Sequence, residues 1–126
     1  MPSLNKVMII GNLGDEPTMR FTPSGSPVTT FSVAVNRKYT QDSESHEETE
    51  WFNIVAWNKQ AESCNQYLSK GQQVYVEGRL HTRSWDGQDG QKKYRTEVIA
   101  NQVLFLGGKR KEEEEEAEYD PNDIPF

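Results

Sequence analysis

Residues 50–85 read EWFNIVAWNKQAESCNQYLSKGQQVYVEGRLHTRSW: a β-rich segment, a short helical segment and a second β-rich segment in direct succession. In residues 50–57 and 73–85, Val, Ile, Phe, Tyr and Trp recur with a period of two, which suits a strand because successive side chains leave it on opposite faces. Between them, residues 59–70 set Ala61, Cys64, Tyr67 and Leu68 three or four positions apart, along one side of a helix. Gly71 then reads as a left-handed cap, with Lys70 at the negative end of the helix dipole. Moving outward, residues 4–10 and 28–36 on one side and 94–106 on the other share the β composition and are bounded by Gly, Pro, Asn or Asp.

The resulting order is strand, strand, strand, helix, strand, strand. That is the order of an all-β, five-stranded barrel of the oligonucleotide-binding (OB) type, with its one short helix between strands three and four plugging an end. Residues 22–27, with two prolines and a glycine, must turn. Residues 41–49 are polar and charged, residues 86–90 form the tip between the last two strands, and both are expected to be mobile loops. Gly107-Gly108 closes the barrel.

Charge divides the chain. Residues 1–108 carry eleven Lys and Arg against twelve Asp and Glu, a net of −1, whereas residues 109–126 carry three against eight, a net of −5. The acidic pI therefore describes the tail, and it leaves open a local basic stripe on the body. Five successive glutamates stay hydrated, so a disordered, extended tail is expected. It nevertheless ends on Ile124-Pro125-Phe126, an apolar tip suited to docking in a partner's pocket rimmed by Lys or Arg. A solubility tail is the plainer alternative. One cysteine, Cys64, precludes an internal disulfide framework and fits a reducing, cytoplasmic setting. No apolar run approaches the roughly 20 residues that span a bilayer, and no secretion signal precedes the body, so no membrane partner is expected.

Side-chain parity sharpens the picture. In residues 73–85, Val74, Val76, Gly78 and Leu80 form the core set. Tyr75, Glu77, Arg79, His81, Arg83 and Trp85 face the other way, a basic ladder ending in an aromatic. Trp85 there reads as a ligand platform, its alternative being a cap on the barrel mouth, and Tyr75 reads as a subunit contact. Trp51 and Trp57 share a parity with Asn53 and Val55, opposite Phe52, Ile54 and Ala56, and both faces are apolar enough to be core. Tyr39 follows Arg37-Lys38. Four rings, each near Lys or Arg or at a strand end, suit single-stranded nucleic acid, whose backbone holds charge and whose unstacked bases offer faces worth about 1–3 kcal/mol each. Arg37, Lys59, Arg79, Arg83 and Lys93 are the expected phosphate contacts.

The chain also resembles a known family. Asn5-Lys6-Val7 leading to Gly11-Asn12-Leu13-Gly14, then Glu16-Pro17, Thr49-Glu50-Trp51, Tyr67-Leu68-Ser69-Lys70-Gly71, Val74-Tyr75-Val76-Glu77-Gly78, Thr96-Glu97-Val98 and the ending Asp123-Ile124-Pro125-Phe126 are similar to bacterial single-stranded DNA-binding proteins. The resemblance implies a nucleoid-associated homotetramer of OB barrels that binds single-stranded DNA and recruits replication, recombination and repair proteins through its tips. It divides the chain into a DNA-binding domain at 1–108, a short charged linker at 109–119 and a docking tip of Asp120, Pro121, Asn122, Asp123, Ile124, Pro125 and Phe126. It places the stacking positions on Tyr39, Trp51, Trp57 and Trp85, and a subunit-contact position, histidine in some members, on Phe52. The linker here is shorter than the family's usual Gly-, Gln- and Pro-rich spacer.

An enzyme is the opposing class. Asp42, Glu44, Glu47, Glu48 and Glu50 with His46 resemble the ligand set of a metal-dependent nuclease, but clustered acids in a polar loop are usually solvated. Two histidines and one cysteine lack zinc spacing, and no phosphate-cradling glycine motif is present, so neither metal nor cofactor is implied. An RNA-binding or primosome-type OB adaptor is the other rival, and the four rings weigh toward direct strand binding.

Overall fold

A computed structural model describes residues 2–107 of the chain. The expectations for the linker and for the docking tip, Asp120 to Phe126, lie outside the described residues. Six strands and one helix follow in the order β1 (Val7–Leu13), β2 (Thr18–Phe21), β3 (Pro27–Gln41), β4 (Glu44–Trp57), α1 (Asn58–Tyr67), β5 (Gln73–Asp86) and β6 (Lys92–Phe105). Five of these strands close a ring, β1-β5-β6-β4-β3 and back to β1, while β2 hangs on the outer edge of β3. The OB-type barrel expected from the sequence is therefore present, with α1 between its third and fourth ring strands.

Closure is economical. β1 pairs with β5 over six positions and then reaches β3 through Asn12↔Ala34 and Leu13↔Val33. β4 meets β6 in parallel through only Ile54↔Val98 and Val55↔Ile99. Inside lie Ile9, Leu13, Phe31, Val33, Ile54, Ala56, Val74, Val76 and Val98, and Cys64 and Leu68 from the helix segment plug one end. Each Val, Leu, Ile or Phe among these contributes about 1.5–3 kcal/mol on burial. Thr29 is buried among them, its hydroxyl donating to the Ala61 carbonyl at 2.6 Å.

Two long hairpins run on past this core. β3 and β4 stay paired from Val28↔Trp57 to Gln41↔Glu44, turning on Asp42 and Ser43, both with positive φ (53° and 66°). That is the two-residue turn whose twist matches a hairpin. Apart from that turn, residues 41–49 are thus not a loop: they are paired strand with water on both faces, which removes the apolar alternation by which strands are recognised. Thr49 Oγ1 donates to Asn36 Oδ1 at 2.7 Å and Arg37 Nε to Glu48 Oε1 at 2.8 Å across this arm. The β5–β6 hairpin ends in the expected tip, held by Gly87 N–H to Gln91 O at 2.8 Å.

Three further expectations change, those for Leu80, Gly71 and Lys70. Leu80 was placed with the core but is 45% exposed, because β5 has left the barrel by that point. Its backbone is instead held by the Asn5 side chain, which donates to Leu80 O and accepts from Leu80 N, both at 2.9 Å. Gly71 does have positive φ (90°), yet it is not a helix cap: α1 ends at Tyr67, and Gly71 lies within the turn closed by Gln72 N to Ser69 O at 3.1 Å. Lys70 accordingly lies outside the last helical turn. In β6, one extra residue, Asn101, separates the registers Gly78↔Ala100 and Glu77↔Gln102, so the inward parity passes from Val98 and Ala100 to Val103 and Phe105.

Candidate nucleic-acid interface

Cross-strand partners share a face, so the ladders place the site residues directly. On the outer face of β4 stand Trp51, Asn53, Val55 and Trp57, opposite Ala34, Ser32, Thr30 and Val28 of β3. Val55 is nonetheless buried, while Trp51 is 59% exposed and Trp57 is also exposed, at the junction with α1. Trp51 lies over the Gly14 backbone so closely that a Cβ on Gly14 would sit 2.2 Å from Trp51 Cζ3. Only glycine leaves room for the ring there. The segment beneath is fixed by Gly14 N–H to Ser32 O at 3.0 Å and by Asp15 Oδ1, which accepts from both the N–H and hydroxyl of Ser32 at 3.1 Å.

The same face continues across β6 onto β5. Arg95 Nη2 donates to Asn53 Oδ1 at 2.9 Å. Glu97, 7% exposed, lies between two guanidiniums, with Arg83 Nε 3.2 Å from Oε1 and Arg95 Nε 3.6 Å from Oε2. Arg83 and Arg95 are directly opposed in the β5–β6 ladder, and Trp85 is opposed to Lys93. Arg83 Cζ sits 5.0 Å from the centre of the Trp85 ring, a cation–π contact that covers part of an indole left 42% exposed. Asp15, Thr18, Thr30, Ser32, Asn53, Arg95 and Glu97 line a shallow polar cavity of about 80 Å3 beside Trp51.

Trp51 and Trp85 are therefore joined on one continuous surface, and Trp57 lies further along the β4 part of it. Tyr39 is not brought there. It shares the parity of Val33 and Phe31, the opposite face of the β3–β4 ladder, where it stacks on His46 (ring centres 5.3 Å apart) beneath Arg37 at 4.8 Å. Of the expected phosphate contacts, Arg37 is paired with Glu48, Arg83 with Glu97 and Lys93 with Asp89 at 3.5 Å. Among the described residues Lys59 and Arg79 make no ion pair, and both are exposed.

Asn53, Arg95, Glu97, Gly14 and Asp15 are not among the site residues expected from the sequence, although Gly14 and Glu97 fall in the motifs that carry the family resemblance. Arg95 has the alternation that marked Arg83, and the β5–β6 register would have set the two opposite each other. Gly14 and Asp15 reach the site only through closure of the barrel, which no local pattern announces.

The two expected subunit-contact residues differ in placement. Phe52 is half-buried on the inward side of β4, packed against the core. Tyr75 faces outward on β5, level with Ile10 of β1 and Leu104 of β6, both exposed, and Met8 is exposed beside them. Its hydroxyl donates to Glu77 Oε1 at 2.8 Å, and this bond raises the phenol's pKa above its ordinary value. The acids of the former nuclease reading are dispersed along the β3–β4 arm, with Glu44, Glu48 and Glu50 on one face and Glu47 on the other. Among the described residues no three His, Cys, Asp or Glu gather as a metal set, and no helix is long and apolar enough to cross a membrane.

Known proteins resemble this chain over the barrel as a whole. A single-stranded DNA-binding protein 1 from Chlorobaculum tepidum is 51% identical over 108 residues, covering 84% of this chain and 67% of that protein. Among solved structures, a Plasmodium falciparum SSB complex with ssDNA superposes with a TM-score of 0.79 at 37% identity, covering 85% of this chain and 98% of that one. Residues 4–106, nearly the whole barrel with both hairpins, match the model of the single-strand binding protein family, and the chain belongs to that family.

Proposed function

We propose that the chain binds single-stranded DNA without reading its sequence, and that Trp51, Trp57 and Trp85 carry stacked bases along the outer face of β4, β6 and β5. The observation that carries this reading is the continuous path from Trp51 through Asn53, Arg95, Glu97 and Arg83 to Trp85, with an exposed indole at each end. Rings accept any base, and duplex hides base faces, so such a surface favours unpaired strands. Tyr39 joins it by way of the β3–β4 arm, holding nucleotides that leave the main track. Among the described residues Arg79 and Lys59 pair with no carboxylate, which suits them to phosphate; Arg83 meets Glu97 through Nε and keeps its outer nitrogens for a strand, whereas Arg37 and Lys93 exchange a carboxylate for a phosphate. The name of the Chlorobaculum relative and the strand bound to the Plasmodium relative support the same ligand. Both denote binding proteins, which favours a non-enzymatic role.

The finer proposals follow the family. Residues 1–108 act as the DNA-binding domain and 109–119 as a linker, and Asp120, Pro121, Asn122, Asp123, Ile124, Pro125 and Phe126 recruit replication, recombination and repair proteins. The protein works in the cytoplasm, on the nucleoid, as a homotetramer.

The decisive experiment titrates oligo-dT into the protein while following tryptophan fluorescence. Quenching on binding, weaker binding to duplex, and a loss of about 1–3 kcal/mol in Trp51→Ala and in Trp85→Ala are expected. Unchanged affinity in both variants would remove the platform. An oligo-rU preferred over oligo-dU of equal length would replace DNA with RNA as the ligand.

A further inference from the structure

We infer that Glu97 is a positioning residue which ties the two indole platforms into one track, a role that rests on the strand-binding reading above. Its carboxylate is buried, so it does not meet a strand itself. Each oxygen faces a different guanidinium, Arg83 at 3.2 Å and Arg95 at 3.6 Å. Those arginines are directly opposed across the β5–β6 ladder, and without an anion between them like charge would drive them apart. The outer end of each one acts on the ligand surface: Arg83 lies over Trp85, and Arg95 holds Asn53, two residues along the same face from Trp51. One buried carboxylate thus sets the orientation of groups on three strands.

A competing role has the opposite sign. If Glu97 only masked positive charge, removing that charge would strengthen attraction to phosphate. Glu97→Gln keeps the shape and one acceptor oxygen while removing the charge, and so separates the two. With the full-length protein and oligo-dT at several salt concentrations, Glu97→Gln is expected to weaken binding about tenfold, roughly the contribution of one stacked base, with no steeper salt dependence. In a Trp85→Ala background its effect should shrink to under about threefold, because the ring it orients is gone. Binding that is unchanged or tighter, a salt slope steeper by about 0.7, or fully independent effects of the two substitutions would overturn the inference.

Should thermal melts show Glu97→Gln unfolded, Asn53→Ala cuts the same path on β4. It should weaken binding in a manner not additive with Trp51→Ala, and additive losses count against the inference. A wild-type protein that fails to bind oligo-dT sinks the strand-binding reading and the inference with it. A wild type that binds, beside an unaffected Glu97→Gln, sinks the inference alone.

Discussion

At the scale of single residues, the protein separates rings that face solvent from groups shielded against it. Trp51 stays exposed because Gly14 supplies a flat backbone floor, so the indole rests on the barrel rather than entering it. Cys64 is the converse, a thiol sealed among core side chains, and burial raises its pKa from 9.0 to about 12. Between those values the unfolded thiol ionises while the folded one keeps its proton, so the unfolded state binds fewer protons and stability falls with rising pH. Cys64's contribution is therefore complete below pH 9 and is lost as pH climbs toward 12, at up to about 1.4 kcal/mol per pH unit. Urea unfolding at pH 7.5, 9 and 10.5 should show the wild type losing stability above pH 9, with Cys64→Ala less stable at pH 7.5 but falling less steeply. Parallel curves would mean the thiol is not protected.

At the scale of elements, legibility tracked burial. Val74 and Val76 were correctly assigned because a strand with one face in the core must alternate, whereas Leu80 continues the same alternation after the core has ended and so misleads. β2 gave no signal: four mostly exposed residues pair only with β3 and line no apolar face. The parity of β6 could not be carried across Asn101, since a bulge leaves no trace in local composition. Trp85 is legible as a candidate from the arginines on its own strand face, whereas the face of Trp51 reads equally as core and only the family resemblance marks that ring. Their union through Glu97 depends on register between β5 and β6, which is a tertiary fact.

The β3–β4 arm is the clearest case, since its polar residues read as loop until Asp42 and Ser43 are seen to supply a two-residue turn. A residue other than glycine in that left-handed region costs about 1–2 kcal/mol, a little less for Asp. Ser43→Gly should therefore raise stability by about 0.5–1 kcal/mol, and Ser43→Val should lower it, as read from denaturant midpoints. A mobile loop would be indifferent to both changes.

At the scale of the whole molecule, the outer face of β1, β5 and β6 remains to be accounted for. Met8 and Ile10 are each more than half exposed, and Ile10, Tyr75 and Leu104 lie level with one another across three neighbouring strands. Apolar residues scattered singly need no explanation, but a contiguous set on a rigid sheet is a surface that water disfavours and a second copy can cover. The proposed strand-binding face runs instead over β4, β6 and the outer part of β5, so an assembly through β1 would leave Trp51 and Trp85 open. Tyr75 suits such a contact because its ring supplies area while its hydroxyl stays satisfied by Glu77 within the same chain. Ile10→Glu puts a charge in the middle of this patch, where desolvating it would cost several kcal/mol per copy. If the proposed homotetramer forms through this patch, sedimentation should show a smaller assembly for Ile10→Glu than for the wild type, while affinity for an oligonucleotide short enough for one barrel stays within about twofold, because the proposed stacking face is untouched. An assembly of unchanged mass would move the subunit contact elsewhere, whereas a smaller assembly that has also lost short-strand affinity would mean that the track is completed by a neighbouring copy.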